Sequence, residues 1–297
     1  MNLEEELTKA NILIEALPYI QRFHGNIIVV KYGGSAMKDE SLKNHVMEDV
    51  ALLKLVGFKP IVVHGGGKEI SRWVKKVGIE PVFYNGLRVT DAETLEIAEM
   101  VLGRVNEELV QKAQSLGVNA VGISGVDGNL LTVRKQMPDQ KDIGFVGEVT
   151  KVNTKVLKDL VENDFIPVVF PIGADEKGQR YNINGDHAAA MIAQAVGAQK
   201  LVYLTDTPGV LMDPEDPDSM ISELYTNDAE QLIADGVISG GMIPKIRNCI
   251  DSIHAGVRRV HVLDGRLPHS VLLEIFTDRG SGTAIIGSEE KRYYQKV

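Results

Sequence analysis

The chain has 297 residues, of which 44% are apolar and 25% are charged, and its formal net charge is -9. This acidic balance argues against an extended basic surface, so we predict no nucleic-acid partner. No run of about 18 apolar residues and no secretory leader at Met1–Lys9 are present, so we predict no membrane partner and a cytoplasmic location. The single cysteine, Cys249, has no internal disulfide partner and is expected to be buried.

Residues 1–24 are predicted to form an amphipathic helix ahead of the first strand. Apolar residues recur there at helical spacing and form one face: Leu3, Leu7, Ala10, Ile14 and Leu17. Pro18 lies within this pattern, so the helix is expected to kink or break at that point. The sequence allows the apolar face to pack either on its own subunit or on a second copy of the chain.

Short apolar runs then alternate with helical patterns along the chain. The runs predicted as strands are Ile27–Lys31, Lys59–His64, Ala120–Ile123, Leu130–Val133, Ile166–Phe170, Leu201–Thr205 and Val260–Leu263. The helical patterns cover Asp39–Val56, Asp91–Leu116, Val152–Glu162 and Ala188–Val196. Continuously apolar strands between helices are typical of a parallel sheet that is covered on both faces. We therefore predict an α/β fold, a three-layer α-β-α sandwich with a mostly parallel central sheet.

Two segments are predicted to interrupt this alternation. Asn129–Val149 carries short strand-like pieces between Gly, Asp and Pro turns, which indicates β-hairpins at a sheet edge. Gly173–Gly178 is predicted to be a turn. This turn marks our expected division of one sheet into two lobes, residues 25–176 and residues 177–297.

Two glycine-rich turns follow buried strands, one after Lys31 and one after His64. Such turns allow a ligand to approach the backbone, and the following helix N-terminus attracts anions. Neither turn matches the P-loop or the dinucleotide-binding fingerprint. His64–Gly67 also has the form of an esterase oxyanion-hole turn, but that fold requires a G-x-S-x-G pentapeptide, and Gly122–Val126 lacks the last glycine. The turns therefore predict an anion-binding site.

Three charged residues give a sharper signal than the glycines. Lys31 ends a buried strand, where its side chain is expected to project toward the carboxyl edge of the sheet, the usual ligand crevice of open α/β folds. Asn184 is predicted to cap a helix with Asp186 in its first turn. Pro244 suits the first position of another helix and places Lys245 second. Because a lysine there opposes the helix dipole, its position indicates a function.

Six segments together resemble the amino-acid kinase family over essentially the whole chain. They are VVKYGGSAM (29–37), VVHGGGKEI (62–70), NGLRVT (85–90), YNINGDHAAA (181–190), LTDTPGVL (204–211) and SGGMIPKI (239–246). The pattern GLRVT is similar to that of the members that phosphorylate N-acetyl-L-glutamate, rather than aspartate, glutamate, carbamate or UMP. The resemblance implies transfer of the γ-phosphoryl group of ATP, supplied with Mg²⁺, to the side-chain carboxylate of that acceptor, in arginine biosynthesis.

The same resemblance implies a role for each matched residue. Lys31 and Lys245 would neutralise the transferring phosphoryl group, and Asp186 would hold the two ammonium groups in place. Gly33 and Gly34 are implied at the nucleotide phosphates; the implied acceptor-binding residues are Gly66, Gly67, Arg88 and Asn182. A carboxylate is already a nucleophile at neutral pH, so no general base is needed, and we expect His64 to serve packing or hydrogen bonding. Mg²⁺ is expected to arrive with ATP, and we predict no resident metal site.

Regulation and assembly are also implied by the resemblance. Arginine-inhibited members carry an extra helix before the first strand and exchange it between dimers to build a hexamer, a trimer of dimers. The N-terminal lobe would bind the acceptor and form the dimer, and the C-terminal lobe would bind ATP. The implied allosteric site for L-arginine comprises Tyr19, Lys200, His269, Glu274 and Gly282. Two alternatives stay open: a kinase for a related N-acylated carboxylate of the aminoadipate type, and a non-catalytic arginine-sensing module.

Overall fold

The structure, a computed structural model, describes residues 3–37, 39–213, 215–277 and 280–290. The outer ends of two predicted segments, residues 1–2 and 291–297, lie outside the described residues. The helices are α1 (Leu3–Phe23), α2 (Glu40–Leu55), α3 (Gly67–Lys76), α4 (Ala92–Ser115), α5 (Lys155–Glu162), α6 (Gly185–Val196), α7 (Thr226–Ala234), α8 (Met242–His254) and α9 (Ser270–Phe276). Within these ranges, no helix has both the length and the apolar content needed to cross a bilayer.

The strands fall into one large sheet, one small closed sheet and a short hairpin. They are β1 (Ile27–Tyr32), β2 (Lys59–His64), β3 (Phe83–Tyr84), β4 (Leu87–Arg88), β5 (Ala120–Ser124), β6 (Leu131–Lys135), β7 (Val146–Val152), β8 (Ile166–Phe170), β9 (Ile172–Ala174), β10 (Arg180–Ile183), β11 (Lys200–Thr205), β12 (Glu223–Tyr225), β13 (Arg259–Asp264) and β14 (Thr283–Ile286). Each strand predicted from an apolar run is present, with ends that match or differ by at most two residues.

Eight strands form the central sheet, in the order β12-β14-β13-β11-β1-β2-β8-β5. Every neighbouring pair is parallel except β13 and β14. Strand β1 lies between β2 and β11, with Lys31 in register with Val63 and Tyr203. The predicted α/β fold with a mostly parallel sheet is confirmed.

Both faces of the central sheet are buried, which explains the continuously apolar strands. On one face, Val29 belongs to a core cluster with Ile61 and Leu201; on the other, Val30 clusters with Val62. Burial of one such side chain contributes about 1.5–3 kcal/mol. Because side chains alternate along a strand, Lys31 lies on the Val29 face, which α6 covers.

The hairpin segment differs from its prediction. Strands β6 and β7 do form an antiparallel hairpin, but they join β9 and β10 in a separate closed sheet and do not lie at an edge of the central sheet. The apolar pattern identifies strands without identifying their partners, and this is why the predicted placement was wrong. Of the turn predicted at Gly173–Gly178, Gly173 and Ala174 belong to β9. The remaining residues lead from β9 to β10, and these two strands pair antiparallel.

Helix α1 continues through Pro18, so of the kink or break predicted there, a break is not observed. Aromatic packing holds the turn that follows the proline. The ring centroid of Tyr19 is 6.5 Å from that of Phe276 in an edge-on arrangement, and the centroid of Phe23 is 5.9 Å from that of Phe58. These contacts fix the end of α1 against α9 and the residues that lead into β2.

The apolar face of α1 is not covered by the part of the chain that the structure describes. Leu7 is 54% exposed and Leu13 is 72% exposed, and Ile14 and Leu17 are exposed as well. The side chain of Leu3 lies outside the described residues. Of the two packing arrangements that the sequence allowed for this face, burial on its own subunit is therefore not observed.

Candidate active site

Lys31, Asp186 and Lys245 meet at the carboxyl edge of the central sheet. The Nζ atom of Lys31 is 2.8 Å from Oδ1 of Asp186, and the Nζ atom of Lys245 is 3.3 Å from Oδ2. One carboxylate, from α6, therefore lies between an ammonium group from β1 and another from α8. We refer to these three residues as the lysine–aspartate cluster.

Two helix N-termini position the cluster. The Oδ1 atom of Asn184 accepts hydrogen bonds from the backbone N–H groups of Asp186 and His187, at 2.9 and 3.1 Å, which places Asp186 in the first turn of α6 as predicted. Helix α8 begins at Met242, two residues before Pro244. Lys245 is therefore the fourth residue of α8 and not the second, although it still lies in the first turn.

The Asp186 carboxylate is stabilised in its ionised form. Burial acts to raise its pKa, but the nearby ammonium groups of Lys31 and Lys245 outweigh burial and hold the pKa at about 2. The two lysines and one carboxylate leave a net positive charge at the site, which is suited to an anionic ligand.

Tyr203 supports the cluster from β11. Its buried hydroxyl donates to the backbone carbonyl of Asp186 at 3.2 Å, and its ring centroid lies 5.9 Å from Nζ of Lys245. Sequence reasoning missed this residue, because a tyrosine within an apolar strand is usually a packing residue. Tyr203 is in register with Lys31 where β1 pairs with β11, and this position indicates its role at the cluster.

Two cavities adjoin the lysine–aspartate cluster. The first, of about 620 Å³, is lined by Lys31, Arg88, Asn182 and the glycine turns. The second, of about 1140 Å³, is lined by Lys245 together with residues from α8 and from the end of β11. Asp186 lines both cavities, so two ligands would meet at the cluster. The N-termini of α3, α6 and α8 also line these spaces and favour anions there.

The glycine turns are shaped for close approach. A Cβ atom at Gly33 would lie 2.7 Å from Nζ of Lys31, and a Cβ atom at Gly66 would lie 2.7 Å from a methyl carbon of Leu102. Gly34 has a φ of 77°, a conformation that L side chains rarely adopt. A larger residue would displace the Lys31 side chain at Gly33 and the Leu102 side chain at Gly66, and it would strain the backbone at Gly34.

Arg88 lies on β4, the second strand of the short hairpin. Its Nη2 group donates to the carbonyl oxygen of Gly67 at 2.6 Å and to Oγ of Ser71 at 2.8 Å. The guanidinium carbon is 4.7 Å from the centroid of the Phe83 ring. The Nη1 group is buried and has no hydrogen-bond partner among the described residues. Arg88 therefore retains a donor for a carboxylate ligand in the first cavity.

Asn182 reaches the same cavity from β10. Its side-chain amide donates to Oγ1 of Thr90 at 3.4 Å, and Thr90 in turn donates to the carbonyl oxygen of Arg88 at 2.8 Å. This chain of hydrogen bonds fixes Asn182 relative to Arg88. The structure thus brings both predicted acceptor-binding side chains to one space.

His64 is held in the interior directly before the second glycine turn. Its Nδ1 atom is 2.9 Å from the carbonyl oxygen of Gly65, and its Nε2 atom is 3.1 Å from Nδ2 of Asn106. These partners assign the proton to Nδ1, with Nε2 accepting from the amide. Burial lowers the pKa of His64 to about 4, which keeps the imidazole neutral. Both ring nitrogens are engaged, so His64 is not available as a general base.

A second charged cluster is buried between β11, β13 and α9. The Nδ1 atom of His261 is 2.7 Å from Oε1 of Glu274, and its Nε2 atom is 3.2 Å from Nζ of Lys200. Burial lowers the pKa of His261 to about 4 and that of Lys200 to about 7. We refer to Lys200, His261 and Glu274 as the buried cluster. Sequence reasoning found its two ends but missed His261, which appeared to be an ordinary residue of an apolar strand.

The other residues predicted for an arginine site are placed differently. Tyr19 packs on Phe276 beside the buried cluster, and a Cβ atom at Gly282 would collide with the backbone of Val262, so this glycine is required for packing. His269 does not join the group. His269 precedes α9, and its side chain faces α2. There it contacts Asp49 and other residues of α2.

Comparison with known proteins agrees with this arrangement. Residues 26–264 match the profile of the amino acid kinase family, and the chain belongs to that family. The chain is 54% identical over 287 residues to the acetylglutamate kinase of Nostoc punctiforme, a match that covers 96% of each chain.

Two groups of solved structures are also similar. N-acetylglutamate synthase from Neisseria gonorrhoeae, complexed with coenzyme A and N-acetyl-glutamate, has a TM-score of 0.84 and 28% identity; the match covers 95% of this chain and 64% of that one. The same enzyme complexed with coenzyme A and L-arginine has a TM-score of 0.80 and 27% identity, over 93% and 65% of the two chains. Giardia lamblia carbamate kinase bound to AMP-PNP, at 16% identity and a TM-score of 0.65 over 89% and 99%, shows the shared fold.

Proposed function

We propose that this chain transfers the γ-phosphoryl group of ATP to the side-chain carboxylate of N-acetyl-L-glutamate and forms N-acetyl-L-glutamyl 5-phosphate, a step of arginine biosynthesis. The observation that carries the proposal is the lysine–aspartate cluster, which lies where the two cavities adjoin. The 54% identity to an acetylglutamate kinase supports the choice of acceptor. Because the reaction consumes ATP, we place it in the cytoplasm.

The acceptor would occupy the first cavity. Arg88 offers a buried guanidinium donor to a substrate carboxylate, and Asn182 offers a side-chain amide beside it. A planar guanidinium matches a carboxylate better than an ammonium group does, because two parallel hydrogen bonds can form. The backbone of Gly66 and Gly67, at the N-terminus of α3, would complete the acceptor site.

ATP, carrying Mg²⁺ as part of the substrate, would occupy the second cavity. Its terminal phosphate would reach past the cluster to the turn of Gly33 and Gly34, which borders the first cavity. An acceptor carboxylate oxygen attacks the γ-phosphorus while the bond to the bridging oxygen of ADP breaks, so no proton has to be removed. Lys31 and Lys245 balance the charge on the transferring group. Asp186 holds the two ammonium groups at a fixed separation, which is the preorganisation that such catalysis requires.

A turnover assay tests the proposal. Purified chain with ATP, Mg²⁺ and N-acetyl-L-glutamate is expected to release ADP, and hydroxylamine is expected to trap the acyl phosphate as a hydroxamate. Competing acceptors of the aminoadipate type should be poor substrates. Preferential use of such an acceptor would indicate that the chain is a kinase for that substrate class. Binding of L-arginine without any turnover would indicate a sensing module.

We further propose that L-arginine inhibits this reaction by binding beside the buried cluster. Glu274 supplies a carboxylate for the guanidinium group of the effector, and Lys200 supplies a cation for its carboxylate. Tyr19 brings the end of α1 to the same region. The similar synthase from Neisseria gonorrhoeae, solved with L-arginine, supports an arginine site on this fold.

The exposed apolar face of α1 supports assembly through this helix. Exposed leucines and isoleucines on one helix face are typical of a protein interface. We propose that α1 helices from neighbouring dimers pair and build a hexamer, a trimer of dimers, with the dimer contacts and acceptor site in residues 25–176 and ATP in residues 177–297.

Deletion of residues 1–24 tests this assembly. The truncated chain is expected to sediment as an active dimer with a weakened response to L-arginine, because both the interface and Tyr19 are removed. A truncated chain that stayed hexameric and equally sensitive to L-arginine would contradict the proposal.

A further inference from the structure

Three metal-ligating side chains meet between α2 and α9, and none of them lines the two cavities described above. His45 and Glu48 are one helical turn apart on α2, and His269 precedes α9. One ligand atom from each residue lies within 4.8 Å of the other two. Because His45 and Glu48 are three residues apart, they project from the same face of α2 toward His269.

The imidazole of His45 has one ring nitrogen that forms no hydrogen bond with the described residues. Its Nδ1 atom is buried and has no hydrogen-bond partner among the described residues. Its ring centroid lies 4.7 Å from that of His269, at an interplanar angle of 54°. A buried polar atom without a partner is destabilising, and coordination of a metal ion through that nitrogen would remove the penalty.

His269 is oriented as a metal ligand. Its Nδ1 atom is 2.6 Å from Oδ1 of Asp49, a fully buried carboxylate, and its Nε2 atom is 4.0 Å from Oε2 of Glu48. A histidine that donates one ring N–H to a carboxylate presents the other nitrogen to a metal, and this arrangement recurs in metal sites. The backbone of His269 also has a φ of 56°, which is a costly conformation for a residue other than glycine.

We propose that His45, Glu48 and His269 bind a Zn²⁺ ion. Two imidazoles and one carboxylate are a ligand set that zinc accepts, with a fourth position left for water. The side chains of Glu48 and His269 are partly exposed, so an ion can reach the site from solvent. No local sequence pattern indicates this site, because its two halves lie more than 200 residues apart.

Such an ion would join α2 to the start of α9. Each of these elements contributes ligands, and so the folded chain binds zinc better than the unfolded chain does. Ligand binding to the folded state raises the apparent stability as the free ligand concentration rises. The melting temperature of the metal-stripped chain is therefore expected to increase on addition of zinc.

Titration of the full-length, metal-stripped chain with Zn²⁺, in the presence of excess Mg²⁺, tests the proposal. The wild-type chain is expected to bind one Zn²⁺ at this site. Co²⁺ bound in place of zinc should show the visible absorption of a four-coordinate complex. His45→Ala, His269→Ala and Glu48→Gln are each expected to weaken zinc binding by more than about 100-fold, and Asp49→Asn by about 10- to 100-fold. Each variant should also lose the zinc-dependent rise in melting temperature.

His254→Ala is the matched control, because it removes an exposed histidine in the last turn of α8. It should bind zinc as the wild type does. Glu48→Gln changes an exposed side chain and keeps its shape, so it reports on the site even if a histidine variant fails to fold. Equal zinc affinity in the wild type and in Glu48→Gln, or no zinc binding by the wild type, would overturn the proposal.

Discussion

The lysine–aspartate cluster and the buried cluster use similar residues in opposite ways. In the first, Asp186 contacts both Lys31 and Lys245, and the three side chains border two cavities. In the second, Glu274 and Lys200 are separated by His261. The first cluster thus presents two direct ion pairs to ligands. In the second cluster, the neutral imidazole of His261 lies between Glu274 and Lys200 in the interior.

Charge compensation, more than burial, explains the difference in titration. Two nearby ammonium groups hold the pKa of Asp186 at about 2 despite its burial. For Lys200, burial, reinforced by the nearby Arg259 and opposed by Glu274, lowers the pKa to about 7. Asp186 therefore stays ionised over the physiological range, as its place between two ammonium groups requires. Lys200, by contrast, titrates within that range.

The largest expected effect comes from removal of one ammonium group of the lysine–aspartate cluster. Lys31→Ala and Lys245→Ala are each expected to lower kcat by about 100- to 1,000-fold, with a small change in the KM for the acceptor, because the lost interaction acts on charge that develops during transfer. Steady-state kinetics measures both values. Lys177→Ala, at an exposed turn, is the control, and near-normal kcat in either cluster variant would remove that lysine from the mechanism.

A smaller effect is expected from the buried cluster. Glu274→Gln keeps the shape of the side chain but removes the charge proposed to bind the effector guanidinium. A hydrogen bond to a charged group contributes about 1.5–3 kcal/mol, so the concentration of L-arginine for half-inhibition should rise by at least about 10-fold. Inhibition curves at fixed substrate measure this change. An unchanged curve would place the effector elsewhere.

The smallest effect is a pH dependence of stability. Between about pH 7 and the ordinary lysine pKa of 10.5, unfolded Lys200 binds a proton that the folded chain does not bind. Its contribution therefore raises the free energy of unfolding as pH increases across this window, and that contribution is lost as pH falls through about 7. Lys200→Met removes the titrating group, so its stability relative to the wild type should be greater at pH 6 than at pH 9.

Urea unfolding at the two pH values measures this difference. Lys177→Met is the control, since that exposed side chain has the same charge and no burial. If the free energy of unfolding of Lys200→Met differs from that of the wild type by the same amount at pH 6 and at pH 9, the pKa of Lys200 is not lowered by folding.

The fold was largely predictable because the sheet is buried on both faces. Its strands are continuously apolar, so β1, β2, β8 and β11 could be located within one or two residues. The chain order of strands and helices then indicated a parallel sheet. Partners and precise helix starts were not predictable: the β6–β7 hairpin joins a separate sheet, and α8 begins before Pro244. These depend on tertiary packing that no local pattern records.

The lysine–aspartate cluster could be anticipated because each member stands at a strand end or a helix start with a characteristic sequence. Tyr203 and His261 could not, since each occupies a position in an apolar strand where packing alone would explain it. His269 was assigned to an arginine site from its neighbours along the chain. In the structure its partners are His45 and Asp49, more than 200 residues away, and only the folded chain reveals them.

The place of Lys31 on an inner strand affects how activity is lost. Strand β1 is paired on both sides, so its amide hydrogens are expected to exchange with solvent only when the whole sheet opens. Lys245 lies in the first turn of α8, where helices fray without global opening. In rising denaturant, inactivation should therefore precede unfolding, because the second ammonium group is released while the first is still in place.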